Sequence, residues 1–161
     1  MRPSAESVID NPANAGLRRY RESRQARPTI GALAFPEDVE QAYLSLGTHP
    51  DLVARLWDEL GSVLPVDCRA IFYGSPALIR PDTGTVFGFA AGTHTYALRL
   101  PEPERLEAER AGASRVMDYP RAPSFDLSDI GPEWIFCRWF AGEITWCRAA
   151  YDHAGRSSVV P

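Results

Sequence analysis

Residues 69–100 read RAIFYGSPALIRPDTGTVFGFAAGTHTYALRL, and this stretch decides the fold. It holds four short apolar runs separated by tight turns, one of which, 81–84, ends in a glycine placed for positive φ. Strands joined by turns this short must pair antiparallel, because parallel pairing needs a long crossover. The glycine-rich part, 84–92, lacks the spacing of a dinucleotide-binding loop and predicts a bulge or tight hairpin.

Helical patterns flank this central stretch. Apolar residues recur at helical spacing over 36–47 and again over 52–64, where Pro65 ends the pattern. A polar helix is predicted over 101–112, and a C-terminal helix over 142–154 with Ile144 and Cys147 on its apolar side. We therefore predict an α+β fold: an antiparallel sheet of about five or six short strands, two N-terminal helices, a polar connecting helix and a C-terminal helix.

Residues 1–33 are predicted to be a flexible basic leader. Three prolines interrupt them, apolar residues are sparse, and six Arg face three acidic residues. Such a segment has little apolar surface to offset the entropy lost on ordering. The alternative is that it lies across the domain surface. Residues 34–156 are then a single α+β domain, and 157–161 a C-terminal tail.

The basic residues are all arginine, seventeen in number, and there is no lysine, which is consistent with a GC-rich, bacterial genome. A Schiff-base lysine, a pyridoxal-phosphate anchor and the phosphate-loop lysine are therefore excluded. Three scattered cysteines, without a C-x-x-C or H-E-x-x-H motif, predict reduced thiols rather than a disulfide framework or a structural metal site. We predict no metal and no cofactor.

The lengths of the apolar runs and the distribution of charge limit the cellular location and the kinds of partner that we expect. No apolar run reaches the ~18 residues that a membrane helix needs, and the first residues lack the apolar core of a signal peptide. We therefore expect a cytoplasmic protein that does not bind membranes. Outside 1–33, eleven Arg face eighteen acidic residues. A surface this acidic is poorly suited to a phosphate backbone, which argues against nucleic acid as the partner.

Five residues are candidate binding residues, and none is assigned a catalytic role. His94 follows a glycine turn and is predicted to be a half-buried structural histidine, with a binding contact or a general base as alternatives. Arg99 faces away from the apolar side of its strand and is expected to point outward. Trp134 and Arg138 share a strand face, and Trp beside Arg is typical of protein interfaces, although these aromatics would also suit the core. The full set is Tyr73, His94, Arg99, Trp134 and Arg138.

Three segments precede a polar helix: Tyr73-Gly-Ser-Pro-Ala-Leu78, Val86-Phe-Gly-Phe-Ala90 and Thr95-Tyr-Ala-Leu-Arg-Leu-Pro101. This order resembles the TfoX N-terminal-domain and MmcQ/YjbR-like families, over roughly Ala42 to Ala154. The resemblance implies an antiparallel sheet with helices packed on one side. It also implies a link to competence regulation, since TfoX-like proteins have one, and a likeness to DNA-binding domains. It carries over no catalytic residue.

The sequence thus predicts a binding or regulatory domain whose partner is another protein. The pattern favours a non-enzymatic protein over an enzyme. The first alternative is a small enzyme or small-molecule binder with a cleft near Tyr73, His94 and Arg99. The second is a weak DNA-binding regulator that uses the basic leader.

Overall fold

The computed structural model describes residues 2–24, 30–91, 95–119, 122–127, 130–137 and 142–156. Within these ranges the chain forms six α-helices, several shorter helical turns and eight strands. The helices are α1 (Ala5–Ile9), α2 (Ala15–Glu22), α3 (Ala42–Ser45), α4 (Pro50–Ala54), α5 (Glu102–Arg110) and α6 (Glu143–Arg156). The strands are β1 (Leu33–Ala34), β2 (Arg69–Phe72), β3 (Ser75–Ile79), β4 (Val86–Ala91), β5 (Thr95–Arg99), β6 (Val116–Tyr119), β7 (Ala122–Asp126) and β8 (Trp134–Cys137).

Six strands form one sheet in the order β1-β2-β3-β4-β5-β8, while β6 and β7 pair as a separate hairpin. Every neighbouring pair is antiparallel. The predicted α+β fold class is therefore confirmed. No helix in the described ranges is long and apolar enough to cross a bilayer.

A β-bulge interrupts the pairing of β3 with β4. Leu78 pairs with Gly88 and Ile79 pairs with Val86, so Phe87 is the extra residue on β4. A Cβ added at Gly88 would press on two leucine side chains at 3.3 and 3.4 Å, so the glycine suits this close approach. The bulge predicted from the glycine-rich run is confirmed.

The stretch predicted as one helix over 36–47 is broken. Pro36–Asp38 is a single 3-10 turn, Val39 is extended, and Gln41 has a left-handed φ of 50° before the short α3 begins. The apolar residues keep their helical spacing in the sequence, but they are divided between two separate elements, the end of the 3-10 turn and the short α3, rather than lying on one helix. The break matters because it places Pro36–Asp38 at the free edge of the sheet.

Helical structure covers both faces of the sheet, whereas the family resemblance implied helices on one side. On the first face lie α6 and the segment 50–63, in which α4 continues through a π turn (Arg55–Glu59) and a 3-10 turn (Leu60–Val63). On the second face lie α1, α2, Leu127 and Ile130. The first-face core includes Leu52, Leu56, Trp57, Leu78, Phe87, Tyr96, Leu98 and Cys147, and the second-face core includes Val8, Leu17, Phe72, Ile79, Phe89 and Trp134.

The packing of the N-terminal segment differs from the predicted flexible leader. Val8 and Leu17 are 0% and 1% exposed in the second-face core. Each side chain stabilises this placement by about 1.5–3 kcal/mol relative to an exposed position. A low average apolar content therefore did not prevent docking, because the few apolar residues meet a preformed apolar sheet face. In this structure the segment packs against the sheet through Val8 and Leu17, and residues 25–29 lie outside the described residues; its flexibility in solution stays a prediction.

Asn14 joins this segment to the turn between β3 and β4. Its Nδ2 donates to the carbonyl oxygens of Val8 at 2.7 Å and Gly84 at 2.9 Å. Its Oδ1 accepts from the N–H of Val86 at 2.8 Å. Gly84 has the predicted positive φ, 74°, and a Cβ there would overlap the carbonyl of Ser7. The buried amide thus sets the register between the segment and the sheet.

We predict that Asn14→Ala lowers the free energy of unfolding by about 2–3 kcal/mol, because it leaves buried backbone groups without partners. Urea denaturation followed by far-UV circular dichroism measures the change. Arg19→Ala, on the exposed side of α2, is the control and should stay within about 0.5 kcal/mol of the unmodified protein. Equal stability of the two variants would show that the segment is not docked in solution.

The three cysteines are buried and free, and burial raises the pKa of each thiol to about 12. We predict that Cys147 in native protein resists iodoacetamide even at about pH 10, where an ordinary thiol is largely thiolate. The same cysteine should react rapidly in denaturant, as measured by mass spectrometry of the digested protein. Rapid labelling of the native protein would contradict the burial.

Candidate functional site

The structure separates residues that the sequence predicted to line one cleft. Tyr73 lies in the turn between β2 and β3, at one end of the sheet. Arg99 and Trp134 pair with each other at the opposite end. A cleft containing both Tyr73 and Arg99 is therefore not formed. His94 and Arg138 lie outside the described residues.

Tyr73 helps to hold the edge strand β1 against β2. Tyr73 and Gly74 have φ of 47° and 80°, which makes a two-residue turn of the primed type that suits hairpins. This backbone conformation is costly for a tyrosine and persists because its surroundings hold it. Its ring packs edge-on against Phe72 at 4.9 Å, and its N–H donates to the carbonyl of Ala32 at 2.9 Å, just before β1.

Arg99 and Trp134 are buried, at 8% and 3% exposed. The prediction that Arg99 points outward is wrong, because its side chain is buried and pairs with Glu133. Trp134 packs edge-on against Phe89 at 5.4 Å in the second-face core. Trp134 thus follows the alternative in which these aromatics close the core, and it does not form an exposed contact surface.

Arg99 belongs to a charged cluster centred on Glu133. Its Nε lies 2.6 Å from Glu133 Oε2, and His153 Nε2 lies 3.2 Å from Glu133 Oε1. Burial lowers the pKa of Arg99, while the neighbouring carboxylate acts in the opposite direction. Because Glu133 lies between a guanidinium and an imidazole, the cluster ties β5, the start of β8 and α6 together.

A second charged cluster lies in the first-face core, and the sequence analysis missed it. The carboxylate of Glu143 has no exposed side-chain surface and accepts from Arg55 Nη2 at 2.5 Å and from the Tyr96 hydroxyl. Glu143 lies four residues before Cys147 on the buried helix face, whereas Ile144, predicted there, is 45% exposed. The spacing was a usable signal, but an acidic first residue is typical of a solvated helix start.

We predict that Glu143→Gln costs about 3 kcal/mol of stability, because it leaves the Arg55 charge buried without its main counterion. Glu59→Gln is the matched control, since Glu59 faces the same guanidinium at 3.4 Å but is 55% exposed. Its loss should stay under about 1 kcal/mol. Urea denaturation measures both variants. A small, equal loss in the two would mean that Glu143 is solvated.

An open groove, here called the edge groove, runs along β1. Both residues of β1 are half-buried, whereas β3 and β8 are buried throughout. At the far edge of the sheet, Phe136 of β8 bridges to Ser114. The edge groove has a volume of about 570 Å³ and is lined by Arg2, Ile30, Leu33, Ala34, Phe35, Asp38, Val39 and Glu40.

The backbone of β1 is open toward this groove. Ala32 accepts from Tyr73 N–H, so Ala32 faces β2 in the ladder. Because antiparallel pairing alternates along the strand, Leu33 directs its N–H and C=O away from β2. Outside the strand ladders, no backbone hydrogen bond among the described residues uses these two groups of Leu33. An extended segment could therefore pair with Leu33 while placing side chains in the groove.

The rim of the groove is acidic. A smaller pocket of about 150 Å³ adjoins it and shares Arg2 and Phe35 with it. Val66, at the wall of this pocket, is 68% exposed. The linings together hold four carboxylates and two guanidinium groups, namely Glu37, Asp38, Glu40 and Asp67 against Arg2 and Arg69. A basic segment with apolar side chains would complement this surface.

No group of three or more His, Cys, Asp or Glu side chains is arranged for a metal ion in the part of the chain that the structure describes. No family model matches the chain, and neither does any curated protein or solved structure. The resemblance to the TfoX N-terminal-domain and MmcQ/YjbR-like families stays a prediction.

Proposed function

We propose that this protein is a non-enzymatic binding domain that docks a segment of a partner protein in the edge groove. One observation carries the proposal: a half-exposed apolar strand at the edge of an otherwise covered sheet opens on a groove of about 570 Å³. Domains that bind extended segments combine backbone bonds at such an edge with pockets for alternate side chains.

The chemistry of the groove selects the partner segment. Its floor is apolar, with Ile30, Leu33, Phe35 and Val39, and its rim is acidic. Opposite charge speeds the encounter and excludes acidic competitors, while burial of apolar side chains supplies affinity. The partner segment is therefore extended, basic and partly apolar. A regulatory role of the TfoX or YjbR type would be one use of such binding.

The DNA-binding alternative has less support from the geometry of α2. Arg18 lies 3.7 Å from both Asp10 and Glu22, so its charge is partly neutralised. The ring of Tyr20 contacts the guanidinium groups of two neighbouring arginines and the ring of Phe89, 6.2 Å away. A ring engaged in this way is poorly placed to stack on a base.

We predict that short random peptides displayed on phage and selected on the full chain will converge on basic, partly apolar sequences that bind the edge groove. Glu40→Arg reverses an exposed rim charge and should weaken the selected peptides at least about tenfold. Val39→Ser, which removes apolar contact at the floor, should do the same. Fluorescence anisotropy of labelled peptides measures affinity.

Leu106→Glu is the control, because Leu106 is an exposed apolar residue of α5, at 42%, that lines neither pocket. Its affinity should match that of the unmodified protein, and far-UV circular dichroism should show all three variants folded. Peptides that bind every variant equally would place the binding surface elsewhere and overturn the proposal. Failure to enrich any peptide would overturn it as well.

A further inference from the structure

The guanidinium of Arg2 lies in a seat formed by the turn after β1. Its Cζ is 4.3 Å from the centroid of the Phe35 ring. One Nη contacts Asp38 Oδ2 at 3.1 Å, and the other pairs with Glu37 Oε1. An aromatic face beside two carboxylates recognises arginine, because a planar guanidinium can stack and donate sideways at the same time. We call Phe35, Glu37 and Asp38 the arginine seat.

The arginine seat does not depend on Arg2 for its shape. Pro36 begins the 3-10 turn, and the N–H of Asp38 donates to the carbonyl of Phe35 at 2.9 Å. This bond holds the ring and both carboxylates on one short turn. Phe35 also packs against the second-face core, so its ring is supported from the protein side. The seat therefore remains formed when Arg2 leaves.

Arg2 itself is held weakly. Its side chain is 41% exposed, and those of Glu37 and Asp38 are 60% and 51% exposed. Exposed ion pairs and a single exposed cation–π contact are individually weak. Because Ser4 caps α1 through hydrogen bonds with Ser7 and the buried Val8 holds this helix, only residues 2 and 3 need to move. Release of Arg2 is a local event.

We infer that Arg2 is an internal occupant of a site for an arginine of the partner protein. The inference rests on the proposed function and specifies its ligand: an arginine that takes the seat, with apolar neighbours that enter the edge groove. Arg2 and Phe35 line both pockets, so the seat lies where the two meet. Arg2 therefore lowers the affinity for the partner by competition.

The test compares the unmodified chain with Arg2→Ala, using the labelled peptide acetyl-Leu-Ala-Arg-Leu-Ala-amide and versions with lysine or citrulline in place of arginine. If Arg2 occupies the seat about nine-tenths of the time, its removal tightens binding of the arginine peptide about tenfold. The lysine peptide, of equal charge, should gain much less, and the citrulline peptide nothing. Arg19→Ala removes one charge elsewhere and should leave all affinities unchanged.

A further variant, Arg2→Ala with Glu37→Gln and Asp38→Asn, removes the carboxylates of the seat and should lose the gain. Equal affinity of Arg2→Ala and unmodified protein would overturn the inference and make Arg2 a clamp on the N-terminal segment. An equal gain for the lysine and arginine peptides would overturn it too, as a general charge effect. In either case, phage-selected peptides that still lose affinity for Glu40→Arg would leave the proposed function standing; if no peptide binds any variant, both fall.

Discussion

The turn between β3 and β4 contacts the helices on both faces of the sheet, and the position of both sets of helices depends on it. On the first face, Arg80 donates to the carbonyl of Tyr151 at 3.0 Å and stacks over its ring at 4.2 Å, which holds α6 against this turn. Asp82 lies 2.8 Å from Arg80 Nε, and this hydrogen bond lowers the pKa of the carboxyl group. On the second face, Asn14 bonds the carbonyl of Gly84. One turn therefore sets where the last helix and the first segment meet the sheet.

Covering both faces explains why charged side chains lie inside this small domain. The side chain of Arg99 lies on the second face and would be solvated if that face were open. Because it is buried here, its charge needs a counterion, and Glu133 supplies it. Tyr96 and Arg55 meet Glu143 on the first face. Such pairs cost desolvation, so they are weak sources of stability, but a wrong packing of the layers would leave a charge unpaired. They therefore favour one arrangement of helices over others.

Local patterns in the sequence were enough to predict the strands, whereas the packing of the N-terminal segment and the buried ion pairs depend on contacts between residues far apart in the sequence. The turn ending in Gly84 and the apolar runs on either side of it are short-range signals, so the antiparallel sheet was predictable. The docking of Val8 and Leu17 was not, because isolated apolar residues become core only when a sheet face is present. Glu143 finds its counterion 88 residues away, which no local spacing shows.

The candidate site depended on contacts of the same long-range kind. Pro36 and the acidic residues after it are typical of a helix start, and the helix predicted over 36–47 begins with them. Their role at the sheet edge follows from the pairing of Ala34 with Ile71, which brings β1 beside β2. Of the predicted site residues, Tyr73 lies in a strand-connecting turn and Arg99 and Trp134 lie on paired strands; all three are buried and support the fold.

The brevity of β1 also governs how copies of this protein behave at high concentration. A long, open edge strand is a template for indefinite strand stacking between molecules. Here β1 has only two residues, and one residue later Pro36, which has no N–H to donate, begins the 3-10 helix. A neighbouring molecule can gain too few backbone bonds there to nucleate a fibril. The shortness of β1 thus limits self-association through this apolar, accessible edge.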